Sequence, residues 1–488
     1  MKRVTSMAQV ISKMADKNLH HHKPALDYLF HPESVAVAGV SGDPTKLNGG
    51  RIFTENLINA GFQGKIYPVG AGGGDLRGLK IYPSIAAIPD KVDFVISSVP
   101  AKYAPQLLRD SAAKGVKAMH LFTAGFSESG EDEGNELESE VIDIARQTGI
   151  RLVGPNCMGL YCPSSGLSFC ADFPQESGSV GFLSQSGGHS LYGTLEATAR
   201  GIRFSKVISY GNASDLNESD YLEYLAEDPD TSIIAVYIEG AKDGHRLMEV
   251  LKRAAQAKPL IIFKGGTTEY GSRTASSHTA SITGSDSVWS SLIKQVGAIQ
   301  VDSTEEMFDV VLLFDHMSPP KSRNVALAGL GGGFSVYAAD VFAKEGLTIP
   351  LFPPEVSEQL KKNDFTSAGK IFNNPVDIFS HGSSQLIQHV ITTILSLDQI
   401  DFLVVHIAFD TLPVPEAWEG HLYIEALNKL REEISRRTVV VLHTVALPRS
   451  KNLAAEVQET IAKAGYAVYP SFSRAARAIA KFAQYHRC

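Results

Sequence analysis

His278 stands in "RTASSHTASITGSD", residues 273 to 286, a run of hydroxyls and small side chains that follows the apolar, strand-like "PLIIFKGG" of 259 to 266. The run offers no second metal ligand, so the chemistry open to His278 is that of a bare imidazole. With an unperturbed pKa of about 6.5, a neutral ring can attack a phosphoryl group and release it again, which makes a histidine facing an anion site a natural covalent carrier. A candidate anion site is "SQSGGHS", where Ser184, Ser186, Gly187 and Gly188 combine hydroxyls with a permissive backbone at the point where a helix should begin. A helix start presents free N–H groups and the positive end of its dipole. A carrier imidazole also needs a group that fixes its tautomer, and Glu239, closing the apolar "AVYIEG", is the nearest carboxylate in topology. Each feature has a plainer explanation, a satisfied surface or core histidine and an ordinary capped helix, and these residues taken singly leave both open.

Such residues meet only if strands carry them to one edge. Three segments, "SVAVAGVSGDPTK", "SVGFLSQSGGHSLYG" and "NVALAGLGGGFSVYAAD", begin at Ser34, Ser179 and Asn324, 145 positions apart each time. Each joins a short apolar run to a Gly/Ser turn and then to helical periodicity, as the first strand of a parallel sheet feeds its first helix. Further apolar runs, among them "DFVISSVP", "KAMHLFTAGF", "SIIAVYIEG" and "DFLVVHIAFD", alternate with helical stretches such as "ELESEVIDIARQTG". Strands this apolar belong in sheets covered on both faces. The pattern predicts an α/β fold with three consecutive parallel-sheet domains, 26–165, 175–316 and 322–488. The punctuation between them is the Pro/Gly-rich "YCPSSGLSFCADFPQESG" of 161 to 178 and "HMSPPKSR" of 316 to 323. Parallel topology would return His278, Glu239 and the "SQSGG" turn to the same edge of the second sheet.

Composition narrows the partners. A chain of 488 residues needs several cores, and its formal charge of −8 is spread without a basic stripe, which argues against nucleic acid. The cysteines at 157, 162, 170 and 488 have neither the density of a disulfide scaffold nor paired CxxC spacing, which fits a reduced cytoplasm. No stretch approaches the run of about 18 apolar residues that a membrane helix needs. The N-terminus lacks the features of a signal peptide, and His20, His21 and His22 read as part of a solvated leader. The first turn, "GVSGDPTKLNGG", departs from GxGxxG, and "KIYPVGAGGG" lacks the acid that grips an NAD ribose, so a dehydrogenase is weakly supported.

Taken in register, "LFHPESVAVAGVSGDPTKLNGGRIFTENL", "SSVPA", "FTAGFSE", "GPNCMG", "SQSGG", "YIEG", "GSRTASSHTASITG" and "NPVDI" resemble the α-subunit of the NDP-forming acyl-CoA synthetases, from about residue 26 onward. That group includes succinyl-CoA synthetase and ADP-forming acetyl-CoA synthetase. The resemblance implies a Rossmann-like CoA-binding domain followed by two flavodoxin-like domains. It implies interconversion of acyl-CoA, phosphate and ADP or GDP with carboxylic acid, CoA and ATP or GTP, through an acyl phosphate and a phosphohistidine. It makes His278 the phosphorylated residue and Glu239 its hydrogen-bonded partner. The phosphate-facing turn becomes Ser184, Gln185, Ser186 and Gly187, with Gly188 adjacent.

The same resemblance sets CoA against Gly39, Ser41, Pro44, Lys46, Val99, Pro100 and Thr123, and the acyl group near Asn156 and Cys157. Cys157 is expected to pack as a small hydrophobe without a nucleophilic role. No metal is expected in this chain. Magnesium and ADP or ATP belong on an ATP-grasp β-subunit, since the chain has neither a Walker loop nor the length for that unit, and the assembly implied is a heterotetramer. Three departures stand out: Ala280 where glycine usually follows "SSHT", Gly188 and His189 after "SQSG", and "VGAGGG" for the usual "VNP". They favour the alternative, a non-catalytic CoA-binding or scaffold subunit of the same fold, while retention of both His278 and Glu239 opposes it. The acid activated is set by side chains at loop ends, which no spacing rule determines.

Overall fold

The computed structural model describes residues 25–43, 45–46, 48–279, 285–329, 331–362, 371–377, 383–409, 420–430, 432–444 and 451–488. The first sheet is built from β1 (Ser34–Ala38), β2 (Lys65–Val69), β5 (Phe94–Ser97), β6 (Ala118–Leu121) and β7 (Arg151–Val153), with a small hairpin of β3 (Asp75–Leu76) and β4 (Leu79–Lys80) between β2 and β5. All five residues of β1 are buried because both faces are covered. Val35 and Val37 share a core with Phe53 and Leu57 of the helix Gly49–Asn59. Ala36 and Ala38 share another with Leu108 and Val141, from the helices Ala104–Ala113 and Asp132–Thr148. The period of two along the strand thus sorts one apolar run into two cores.

The order β2-β1-β5-β6-β7 is entirely parallel. It is a doubly wound order whose switch point lies between β1 and β5, where the crossover helices change face and leave a crevice at the strands' carboxyl ends.

The second sheet repeats the plan with β9 (Val180–Ser184), β10 (Phe204–Ser209), β11 (Ile233–Ile238), β12 (Leu260–Lys264) and β13 (Ile299–Val301), in the order β13-β12-β11-β9-β10. Its outer edge departs from the sequence reading. β8 (Gly159–Tyr161), which that reading placed inside the first domain, pairs antiparallel with β10 and belongs to the second sheet. The stretch 161 to 178 is likewise no loose linker: Tyr161, Phe169 and Phe173 are buried, with ring centroids 4.8 and 5.0 Å apart. Three aromatic rings removed from water outweigh the proline and glycine punctuation around them.

The third sheet runs β14 (Val325–Ala328), β15 (Phe402–Phe409), β16 (Thr438–Thr444), β17 (Ala467–Tyr469), all parallel. Single bridges from Asn324 to Thr348 and from Ala328 to Val376 continue the far side of β14. It joins the second sheet through the helix Phe472–Tyr485, which packs on the helix Thr304–His316. At that junction Asp309 accepts from Arg200 at 2.5 Å and from Arg474 at 2.6 and 2.9 Å. No helix among the described residues is long and apolar enough to cross a membrane.

Candidate functional site

β9 and β11 are hydrogen-bonded neighbours, with Ser184 paired to Tyr237, so the turn after β9 and the loop after β11 leave the second sheet side by side. They flank its switch point, where doubly wound sheets bind ligands. Gln185, only 3% exposed, ties them together. Its N–H donates to Tyr237 O at 3.0 Å. Its Oε1 accepts from the N–H groups of Glu239 at 2.8 Å and Gly240 at 3.2 Å. Ser186 caps the helix Gly187–Ala199 by accepting from His189 N–H at 3.3 Å. Gly187 begins that helix against Met158, where an added Cβ would lie 3.3 Å from Cγ, and Gly188 is exposed. Ser184 has a different place from the one expected: it is fully buried, and its hydroxyl donates to Ser186 O at 2.8 Å, so it shapes the turn from behind.

Glu239 is buried, and Oε1 accepts from Tyr237 Oη–H at 3.0 Å while Oε2 has no hydrogen-bond partner among the described residues. A buried carboxylate oxygen left open is costly unless a donor completes it. His189 stands behind this pair: its ring stacks on Tyr237 at 4.0 Å and its Nδ1 lies 2.8 Å from Thr304 Oγ1. Burial lowers the His189 pKa against the opposing pull of Glu239 and Glu305, which favours the neutral ring. β12, the next strand outward, leads to the helix Glu269–Thr279. His278 is therefore helical, one residue before the end of that helix. The helix lies against the Ser127–Ser129 turn of the first domain. The side chain of His278, together with Pro44 and Ala280, lies outside the described residues.

On the first sheet, Gly39 follows β1 with φ of +93°, and a Cβ there would sit 2.7 Å from Ser98 O. Only glycine lets the two loops at the switch point close this far. Ser41 Oγ accepts from Asp43 N–H at 3.2 Å, and the exposed Lys46 is 3.9 Å from Asp43. Thr123 Oγ1 donates to Val99 O at 2.6 Å, and Asn156 N–H donates to Thr123 O at 3.2 Å, which stitches together the loops after β5, β6 and β7. The two sheets meet where Asn212 and Ser214 donate N–H groups to Pro155 O and Gly154 O, both at 3.1 Å. Cys157 is 4% exposed, and burial pushes its thiol well up. Its carbonyl lies 3.0 Å from His120 Nε2, so that nitrogen carries the proton, and burial holds the His120 pKa down to about 4.

Between the sheets lies a cleft of about 840 Å³. Pro100, Thr123, Asn156 and Cys157 line it from the first-domain side, and Gln185, Ser186, Gly187 and Gly188 from the other. Gly39, Ser41, Lys46 and Val99 are not part of that lining; Ser98, after β5 and packed against Gly39, is. Sequence reasoning missed Ser98, Phe122, Ala124, Met158 and Gly211, which also line the cleft. Four of them adjoin motif residues, so adjacency to Val99, Thr123 and Cys157 was the available signal. Among the described residues no group of three His, Cys, Asp or Glu side chains could hold a metal ion.

Two family models match: a CoA binding domain over residues 33–163, and a succinyl-CoA ligase like flavodoxin domain over residues 177–314. The chain is 38% identical over 363 residues to the α-subunit of ADP-forming acetate–CoA ligase I of Pyrococcus furiosus, covering 72% of this chain and 76% of that one. It is 37% identical over 382 residues to ADP-forming acetate–CoA ligase I of Archaeoglobus fulgidus, covering 78% of this chain and 54% of that longer one. The acetyl-coenzyme A synthetase 1 of Ca. Korarchaeum cryptofilum, solved in complex with phosphate and ADP, superposes with a TM-score of 0.81 at 31% identity, covering 95% of this chain and 97% of that one. On these matches the chain belongs to the NDP-forming acyl-CoA synthetase family, as one of its α-subunits.

Proposed function

We propose that this chain carries the acyl-transfer and phosphohistidine half of an ADP-forming acyl-CoA synthetase. The observation that supports this best is the single cleft that joins Pro100, Thr123, Asn156 and Cys157 to the Gln185–Gly188 helix start, with the His278-bearing helix spanning from the second sheet to the first domain. CoA would lie along the first domain, from the turn at Gly39, Ser41 and Lys46 to Pro100 and Thr123, with its thioester near Asn156.

In the first step a phosphate oxygen attacks the thioester carbonyl, the C–S bond breaks, and CoA leaves as the thiol after taking a proton. The helix Gly187–Ala199 faces the bound phosphate with its positive end, worth about 0.3–1 kcal/mol and up to about 2 when partly buried. In the second step the neutral His278 ring attacks phosphorus, the P–O bond to the acyl group breaks, and the carboxylate leaves. Glu239 Oε2, open and buried, takes the N–H at the far side of that ring and so fixes its tautomer. The phosphoryl group then passes to ADP, with magnesium, held by an ATP-grasp β-subunit in a heterotetramer. Free thiols at Cys157, Cys162, Cys170 and Cys488 suit a reducing cytoplasm.

The test is to incubate the protein with acetyl-CoA and [³²P]phosphate. An acid-labile, base-stable protein label is expected, and it should vanish in His278→Ala. Label that persists in that variant refutes the assignment of His278, and CoA binding without any label supports the scaffold alternative.

A further inference from the structure

Lys264 closes β12, the neighbour of the strand that leads to Glu239, and is 3% exposed. Its ammonium donates to Glu239 O at 2.7 Å and to Gly265 O, and lies 5.3 Å from the centroid of the Trp289 ring. The carboxylates that act on it, Glu239 and Asp286, do so through space without a hydrogen bond. A buried ammonium held by two carbonyl dipoles and a ring face, with no carboxylate in contact among the described residues, is short of one anion.

The surroundings couple this charge to both halves of the phosphoryl site. Tyr237, whose hydroxyl donates to Glu239, packs on the same turn: a Cβ on Gly265 would lie 2.6 Å from its oxygen. Gly266 has φ of +71°, and a Cβ there would lie 3.2 Å from Ala275 Cβ, so the helix Glu269–Thr279 folds back onto the turn that Lys264 grips.

We propose that Lys264 is a positioning residue for phosphoryl transfer: its ammonium clamps the Glu239 loop to the turn that opens the His278 helix, and supplies the fixed positive charge that the phosphorylated state requires. This rests on the function proposed above. Burial pulls the ammonium down to about 8, against the raising effect of Glu239 and Asp286, and the Tyr237 hydroxyl of β11, itself pushed up by burial, packs against the turn. The charge is therefore lost within an accessible pH range.

The experiment measures initial rates of [³²P]phosphate labelling with acetyl-CoA, from pH 6.5 to 9.5, in the wild type, Lys264→Gln and Lys264→Met, with circular dichroism to confirm folding. Gln retains a donor for the carbonyls without the charge. The wild-type rate should fall about tenfold between pH 7 and 9, the ratio of protonated fractions for a group of this pKa. Both variants should label at least about tenfold more slowly at pH 7 and be flat across that range. A folded variant that labels within about twofold of wild type at pH 7, or that keeps the wild-type alkaline fall, overturns the proposal. If Met does not fold, Gln decides. A wild type that labels alongside unchanged variants sinks this inference alone, whereas a wild type that takes no label at any pH sinks the functional reading and this inference with it.

Discussion

Gln185→Met isolates the strap between the two loops of the second sheet. Methionine is unbranched and of similar length, so the change leaves little cavity and chiefly deletes the acceptor shared by two buried amides. A buried N–H left without an acceptor costs about 1–3 kcal/mol. The bond from Glu239 N–H, at 2.8 Å, is of full strength, while that from Gly240 N–H, at 3.2 Å, is at the long limit. The sum is therefore about 2–4 kcal/mol, concentrated in one loop. Hydrogen exchange followed by mass spectrometry reads this directly, with overlapping fragments spanning 233 to 245. If these amides exchange through local opening, their protection should fall by about 30- to 700-fold, since each 1.4 kcal/mol is a factor of ten. The label on His278 should fall with it, because Glu239 loses its anchor. Protection at 239 and 240 unchanged within about threefold would show that the strap does not hold the loop, and the reasoning would fail.

Asp309→Ala strips two guanidinium groups of their common carboxylate at the junction of the second and third sheets. Breaking a buried pair costs about 3–5 kcal/mol, and because Arg474 is about a third exposed the lower value is expected, seen as a fall in Tm by scanning calorimetry. His120 supplies a pH dependence: its folded pKa of about 4 lies below the unfolded value of about 6.5, so between them the unfolded chain binds the extra proton. Stability from this group is intact above about pH 6.5 and is lost as pH falls toward 4, by about 3 kcal/mol, and His120→Gln should flatten that part of the Tm profile.

Much of the architecture was legible before folding was considered. The starts at Ser34, Ser179 and Asn324 prefigure β1, β9 and β14, and the Gly/Ser turns after them open the helices at Gly49, Gly187 and Gly332. Apolar runs and helix starts are local properties, carried by side-chain polarity and by glycine's conformational freedom. β8 was not legible, because three residues have no period, and their partner β10 lies more than forty residues away along the chain. The same holds for Lys264 and Tyr237, which read simply as the ends of apolar strands.

The sequence by itself determined which strand end each candidate residue would occupy: His278 after β12, Glu239 after β11, the serine turn after β9. Only the tertiary structure decided what their neighbours are. It turned the Ser184 hydroxyl inward, spent the Gln185 oxygen on the Glu239 loop, left one Glu239 oxygen without a partner among the described residues, and buried an ammonium against that loop's backbone. Those outcomes depend on pairing between strands far apart in the chain, where hydrogen bonds and desolvation act over a few ångströms of space and not along the sequence.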